Sequence, residues 1–285
     1  MFFGTTTGSE LHRGSSNCLM DMVTDRNEYF AADIAAAERS GTASLIAATG
    51  AVSTGMVTRA VVVGADVMSR HTAPGDLRES YEGAGAAACL IGTDPILELQ
   101  DAASVNSNFP AFGRPEDERF TRALMPIDSG TTALGLLRHT KAAVQLFLKK
   151  SGASLDDFDA FVLPQAFPAQ ALMVAKAVGI PLPKIAASIF AGEIGDTGAA
   201  SVLIGLAKVL ECIGPRKRIL VCSYGSNAGA DVLAFQTTDS IVEYQDRVRG
   251  EVDRLIQHKI EVEYAEALRL EHKLASPNIT LGAFN

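Results

Sequence analysis

The residue that first asks for chemistry is Glu38, within the stretch DIAAAERSGTAS from Asp33 to Ser44. The stretch reads as the end of a buried strand, a tight turn and a helix of small residues. A turn feeding a helix N-terminus favours an anionic or nucleophilic group, because unpaired backbone N–H groups and the helix dipole both face it. Glu38 therefore has two readings. As a structural group, its carboxylate gains about 0.3–1 kcal/mol from the dipole and satisfies orphan amides, with Arg39 or another cation as partner. As a reacting group, it is a general base or the carrier of an acyl group as an anhydride.

Other candidates carry their own alternatives. His71, before TAPGD, either reaches a pocket mouth or serves a loop turn. Asp66 and Asp76 read as turn and loop anchors. Glu79 and Tyr81 precede a glycine run and line an interface or a pocket. Glu193 and Asp196 flank a helix start, where capping accounts for Asp196. Gly83, Gly85, Gly225 and Gly229 suit close strand approach better than phosphate binding, and GTTTGSE lacks the lysine of a P-loop. The four cysteines, Cys18, Cys89, Cys212 and Cys222, show no paired spacing and no CxxC, so reduced thiols and no metal are expected. Cys89 and Cys222 read as inert core thiols in strands, and Cys18 as facing the core from a helix.

These residues need a scaffold. A chain of 285 residues with 47% hydrophobic composition can bury a sizeable core. Net charge of -8 without a dense Lys/Arg run argues against nucleic acid or an anionic membrane as partner. No apolar run approaches the roughly 20 residues needed to span a bilayer, and no signal peptide opens the chain, so a cytoplasmic protein is expected.

Short apolar strands alternate with helices, which predicts an α/β fold with mainly parallel pairing. Strands are expected at Phe2–Thr5, Tyr29–Ala35, Ala60–Val67, Ala86–Ile91, Ile96–Ala103, Ala160–Pro164, Ile185–Phe190, Ile219–Tyr224 and Asp231–Gln236. Helices are expected at Ser15–Val23, Ser40–Thr54, Thr132–Lys150, Ala169–Val178 and Ala199–Cys212. The segment Asn106–Arg122 has no clear period and reads as a loop or lid. The tail has helical spacing through Val242–Ile256, then KIEVEY as an exposed strand and a loose ASPNITLGAFN.

The chain repeats itself. VVVGADV matches ILVCSYG, GAGAAACLIG matches GSNAGADVLAF, and RSGTAS matches GDTGAAS, each last pair opening a helix. MFFGTTTG likewise matches AFVLPQAF. The halves are residues 1–95 and 96–238, followed by a tail over 239–285. Only the second half has a strand and a long helix before its matching strand, so an N-terminal strand and helix are expected to be missing from the first. A sheet so depleted would expose unpaired backbone.

Together these motifs resemble the thiolase superfamily, in the branch of ketoacyl synthase III and hydroxymethylglutaryl-CoA synthase. DIAAAERSGTAS resembles its nucleophile turn, IGDTGAASVLIGLAKVL its Gly-Asn-Thr helix start, and CSYGSNAGAD its last glycine-rich loop. HTAPGDLRESYEGAGAA and the tail narrow the resemblance to archaeal-type hydroxymethylglutaryl-CoA synthases. They narrow it further toward the non-catalytic, synthase-like subunit of the acetyltransferase that makes diacetylphloroglucinol. The resemblance implies a five-layer α-β-α-β-α sandwich of two halves and a homodimer. In that fold the missing first strand is expected to be central to its sheet.

The resemblance also implies a catalytic Cys, His, Asn and Glu. At those positions the chain has Glu38, Pro164, Asp196 and Thr6. Proline cannot carry a proton on its side chain, and a second carboxylate repels a developing enolate. The expectation is a thiolase-fold subunit with its own site lost. Its expected partners are a thiolase-like catalytic subunit and an OB-fold, zinc-ribbon bridging protein. The alternative is an acyltransferase, decarboxylase or thioesterase working through Glu38. No cofactor is expected beyond acyl-CoA as substrate or ligand.

Overall fold

The computed structural model describes residues 1–8, 10 and 12–274. The final ASPNITLGAFN segment lies outside the described residues.

The first half runs β1 (Phe2–Gly4), α1 (Ser15–Val23), β2 (Ala32–Ile34), α2 (Ser40–Ser53), β3 (Ala60–Val67) and β4 (Ala84–Ile91). The second half opens with β5 (Leu97–Val105) and a short hairpin, β6 (Phe112–Gly113) and β7 (Arg122–Ala123). A π-helical segment, Ile127–Leu137, runs into α3 (Arg138–Ser151). Then follow β8 (Ala160–Val162), α4 (Gln170–Val178), α5 (Ala191–Ile194), α6 (Ser201–Leu210), β9 (Arg218–Gly225) and β10 (Gly229–Thr237). The tail forms α7 (Ile241–Val248), α8 (Glu251–Gln257) and α9 (Tyr264–Leu270).

The strands form two mixed sheets, ordered β2-β1-β3-β4 and β5-β10-β9-β8. Helices α2 and α6 lie between them. Their small and branched residues, Leu45 and Ala48 on α2 and Val202 and Leu206 on α6, share one core with Phe2, Val62, Val162 and Val221 from both sheets. Gly41 lets the halves meet, since a β-carbon there would sit 2.2 Å from the Ala199 carbonyl oxygen. Helices α3 and α4 cover the outer face of the second sheet through Val144, Phe147, Ala171 and Val174. Helix α1 packs on β1 and β2. The layers therefore run α-β-α-β-α.

The repeat holds in space: β1, β3, β4 and α2 correspond to β8, β9, β10 and α6. The expectation of a vacant central strand position is corrected. β1 is hydrogen-bonded directly to β3 in parallel, Phe2 opposite Val62, so the first sheet has no vacant centre. In the second sheet the extra strand β5 is an edge strand, antiparallel to β10. The corresponding position in the first sheet lies outside β4, whose alternate residues Ala84, Ala86, Ala88 and Leu90 are exposed.

Three further expectations change. Ile185–Phe190 is not a strand. Pro181 and Pro183 precede it, and the backbone closes 3-10 turns at Leu182–Lys184 and Ala186–Ser188, burying Ile185 and Phe190 from turns. The tail helix divides at Gly250, which takes a left-handed φ of 75° between α7 and α8. KIEVEY pairs with no strand; its residues are exposed and Tyr264 opens α9. The expected helix Thr132–Lys150 is π-helical up to Leu137 and α-helical only from Arg138; the remaining helix and strand predictions hold within a few residues, α1 and β3 at both ends.

Candidate functional site

The turn after β2 is strained in a directed way. Ala37 has a φ of 52°, the left-handed region that a β-carbon disfavours. Ser40 fixes the turn: its hydroxyl donates to the Ala37 carbonyl at 2.6 Å and accepts from the Ala36 N–H at 2.8 Å. Glu38 then points across to the second half, where the β9–β10 turn receives it. The Ser226 N–H donates to Oε2 at 2.6 Å and the Ser226 hydroxyl to Oε1 at 2.9 Å. Gly225 permits the approach, because a β-carbon there would lie 2.6 Å from the Ala36 carbonyl oxygen. Burial raises the Glu38 pKa above the ordinary carboxylate value, and the Ser226 bonds oppose it. The expected Arg39 partner is corrected: the Arg39 guanidinium donates from Nη1 to both oxygens of fully buried Asp231, at 2.8 and 2.9 Å. The hydroxyls of Thr42 and Ser104 complete that knot, each at 2.7 Å.

Glu38 faces a cavity of ≈ 470 Å³, and Thr6, Pro164 and Asp196 line the same cavity. All four positions singled out from sequence thus converge. The Thr6 N–H donates to Asp66 Oδ1 at 2.7 Å. That oxygen also takes the Thr5 hydroxyl and both the N–H and hydroxyl of Thr7, while Oδ2 takes the Ala199 N–H at 2.7 Å. Asp66 is the anchor expected of it, and it ties the Thr5–Thr7 turn to the other half. Pro164 follows β8 and offers only its ring. The next residue, buried Gln165, accepts from Phe190 N–H at 2.9 Å and donates to the Ser188 carbonyl at 2.8 Å, fixing the wall behind it.

Asp196 is 8% exposed and its Oδ1 accepts the Gly198 N–H at 2.8 Å, capping the turn that leads into α6. Burial, then the charges of Glu38 and Asp66, push its pKa up to about 7. A third carboxyl joins them. Glu82 forms a backbone bridge with Asp196 and lines the cavity. Burial pushes it up to about 8 despite the Arg78 guanidinium at 3.4 Å. Close carboxyls in low dielectric cannot all ionise, so this site holds exchangeable protons near neutrality.

The rim carries the cations. Arg78 grips Asp76 through Nε at 3.0 Å and Nη2 at 2.8 Å, reaches the Thr121 carbonyl at 2.7 Å and stacks 4.9 Å from the Phe112 ring centre. His71 lies at the cavity mouth, with Nδ1 2.9 Å from the Arg119 carbonyl; burial lowers its pKa. Asn227 takes the N–H groups of Ala111 and Phe112 at 3.1 and 3.3 Å. The Asn106–Arg122 segment is thus a lid fastened to both halves, with Phe112 and Arg114 facing the cavity.

Tyr81 lines the cavity, its phenol pushed up to about 12 by burial. Glu79 lies outside it, accepting from Gly75 N–H at 2.8 Å and from the Tyr264 hydroxyl. Glu193 pairs with Lys259 at 3.4 Å on the surface. Cys89 is pushed up to about 11 by burial, Cys222 is raised further, Cys212 is exposed and Cys18 is half-buried. No described cavity-lining residue is a cysteine. Gly83 and Gly85 serve close approach: β-carbons there would meet Ile194 O at 1.9 Å and the Thr197 side chain at 2.7 Å. Sequence reasoning missed Glu82, Ser201, Tyr224 and Ser226. Each lies inside a motif already quoted, but its inward direction is a property of packing.

The cavity offers acids, hydroxyls and a strained elbow, and no thiolate. Residues 32–109 match the model described as 3-oxoacyl-[acyl-carrier-protein] synthase III, and residues 148–236 match its C-terminal counterpart. The chain is 36% identical over 255 residues to a hydroxymethylglutaryl-CoA synthase of Archaeoglobus fulgidus, covering 87% of this chain and 70% of that one. It is 32% identical over 280 residues to the synthase of Methanosarcina barkeri, covering 94% and 77%. Among solved structures, MvaS in complex with 3-hydroxy-3-methylglutaryl coenzyme A superposes with a TM-score of 0.83 at 19% identity, covering 96% of this chain and 74% of that one. The 3-oxoacyl-(acyl carrier protein) synthase III of Pseudomonas aeruginosa gives 0.72 at 20% identity, covering 83% and 76%.

Proposed function

We propose a function from one premise: the chain belongs to the thiolase superfamily, in the branch of ketoacyl synthase III and hydroxymethylglutaryl-CoA synthase. Within that branch it is a subunit of an acyl-transferring or condensing assembly, working on acyl thioesters, whose own centre performs no covalent acyl transfer. One observation carries this reading. The four positions where the branch would place its Cys, His, Asn and Glu meet in one cavity as Glu38, Pro164, Asp196 and Thr6. A carboxylate is a poorer nucleophile toward thioesters than a thiolate, and here it is tied at both oxygens by Ser226. Proline supplies no proton, and Asp196, a carboxyl whose Oδ1 is occupied by the Gly198 N–H, stands in place of a fixed amide donor for an oxyanion.

The partners that follow are a thiolase-like subunit carrying the cysteine, an OB-fold, zinc-ribbon protein that bridges them, and a second copy of this chain. This arrangement is that of the synthase-like subunit of the acetyltransferase for diacetylphloroglucinol. Two surfaces support contact with another chain. One face of β4 exposes Leu90 and three alternating alanines, and the tail exposes Ile260 at 90%.

The strained elbow and the raised Glu38 pKa favour a second reading, in which Glu38 is a general base or acyl carrier. Intact mass measurement with acetyl-CoA, alongside assay of CoA release, separates the two. The first reading expects neither adduct nor CoA release above background. An adduct or turnover that disappears in Glu38→Gln, with the fold retained, overturns it.

A further inference from the structure

The hydrogen bonds of His139 fix which of its ring nitrogens is the base. Nδ1 lies 2.6 Å from the Gly135 carbonyl oxygen, four residues back in the π-helical segment, and Nε2 lies 2.5 Å from the Ser107 hydroxyl. A carbonyl oxygen only accepts, so Nδ1 carries the proton and donates it. In the neutral ring Nε2 then offers a lone pair, and the Ser107 hydroxyl must donate to it. Hydroxyl, imidazole and a fixed acceptor behind the imidazole follow one another in the order that activates a serine.

Packing holds the imidazole in that direction. His139 is 6% exposed, with the Phe109 ring centre 5.6 Å from its own and that of Tyr224 6.2 Å away. Gly135 lets both rings close in, because a β-carbon there would lie 2.5 Å from the Tyr224 hydroxyl and 2.9 Å from the Phe109 ring. Ser107, in contrast, is exposed, so a reagent can reach it while the base behind it stays shielded. Its loop is fastened on both sides: Arg39 donates to the Asn106 side chain, and Asn227 accepts the Ala111 N–H at 3.1 Å. Neither Ser107 nor His139 is among the described residues that line the Glu38 cavity, so the pair forms a separate site.

We propose that Ser107 is an activated nucleophile served by His139 as general base, and that it accepts an acyl group from small uncharged esters. Ser107 Oγ attacks the ester carbonyl carbon as its proton passes to His139 Nε2. The bond from that carbon to the alcohol oxygen breaks, and the departing alkoxide takes the proton from Nε2. The products are the Ser107 ester and the free alcohol, with the imidazole neutral again. The inference is independent of the role of Glu38.

The test is acetylation of the full chain by 4-nitrophenyl acetate, followed by nitrophenolate release and by mass mapping of the acetylated residues. Ser80 is the internal reference: it too is exposed, but its hydroxyl has a backbone carbonyl, that of Leu77, as partner at 3.4 Å. Ser107 is expected to be acetylated at least a hundredfold faster than Ser80. Ser107→Ala is expected to abolish the fast phase of nitrophenolate release, and His139→Gln to slow acetylation of Ser107 about a hundredfold or more. Ser107 acetylated no faster than Ser80 overturns the proposal, as does a folded His139→Gln protein that reacts as fast as the parent. If His139→Gln does not fold, the ratio of Ser107 to Ser80 in the parent decides alone. Mapping also keeps this site apart from the proposed function, since an acetyl group found on Glu38 bears on that reading and one on Ser107 bears on this.

Discussion

Ser226 holds both carboxyl oxygens of Glu38, one through its backbone N–H at 2.6 Å and one through its hydroxyl at 2.9 Å. The two residues come from different halves, so the bond pair closes the cavity and joins the halves at once. Ser226→Ala keeps the N–H donor and deletes the hydroxyl. A charged-group hydrogen bond contributes about 1.5–3 kcal/mol, which sets the expected loss in urea unfolding at pH 7. The loss should shrink as pH falls and Glu38, whose pKa burial raises, takes up its proton. A pH-independent loss contradicts the assignment of the hydroxyl to the ionised carboxyl.

Asp196 gives a pH dependence of opposite sign to that of an ordinary salt-bridged aspartate. Its folded pKa is about 7, above the unfolded value near 3.8. The native state therefore binds the extra proton between those values. Stability from this group is fully present below the unfolded pKa and is lost as pH rises through about 7. Asp196→Asn removes the titration and keeps an oxygen for the Gly198 N–H. Relative to the parent, the variant should gain stability from pH 5 to pH 9, by roughly 2 kcal/mol or more. Denaturant unfolding of both proteins across that range decides it; a flat difference rules out a raised pKa.

Asp66 concentrates structural load at one side chain. It accepts from Thr5, Thr6, Thr7 and Ala199. Asp66→Ala leaves the buried Ala199 N–H unsatisfied at the meeting of the halves. The expected cost is about 3 kcal/mol or more, read as a lower urea midpoint. Asp66→Asn, which retains two acceptor sites and places an amide against N–H donors, should fall between the two. A cost below about 1 kcal/mol for the alanine variant is incompatible with this role.

Much of the fold was legible because its elements bury two-sided apolar surface. Ala60–Val67 and Arg218–Gly225 are apolar runs that suit a strand covered on both faces, each parallel to one neighbour and antiparallel to the other, and the small-residue helices after RSGTAS and GDTGAAS announce close packing. The failures have local causes. Ile185–Phe190 has strand composition, but prolines nearby and turn hydrogen bonds from Ile185 to Leu182 and from Ser188 to Ile185 satisfy its backbone within the segment. Tyr29–Ala35 shrinks to Ala32–Ile34 because its partner β1 is only three residues long. The candidate site was legible as positions and not as an environment. Residue types placed Glu38 and Asp196 on two turns. That both share a cavity with Glu82, and that Arg39 turns away to Asp231, depends on side-chain directions set by the assembled halves.

Gly83 joins that assembled geometry to a final prediction. Its N–H donates to the Asp196 carbonyl at 2.9 Å, and a β-carbon on it would lie 1.9 Å from the Ile194 carbonyl oxygen. Backbone, unlike a long side chain, cannot swing aside. Gly83→Ala must therefore push apart the Tyr81–Gly83 and Ile194–Asp196 segments, which carry two of the cavity's three carboxyls. Overpacking of this kind costs about 1–3 kcal/mol, and here it also separates Glu82 from Asp196. The variant should lose stability and, in addition, lose part of the pH-dependent difference that Asp196→Asn exposes, because separated carboxyls in a loosened cavity ionise more readily. Comparison of the Gly83→Ala protein with the Gly83→Ala/Asp196→Asn double variant across pH 5 to 9 measures both. A double variant whose pH dependence differs from that of Gly83→Ala as fully as the single variant differs from the parent means that Gly83 does not set the spacing of these acids.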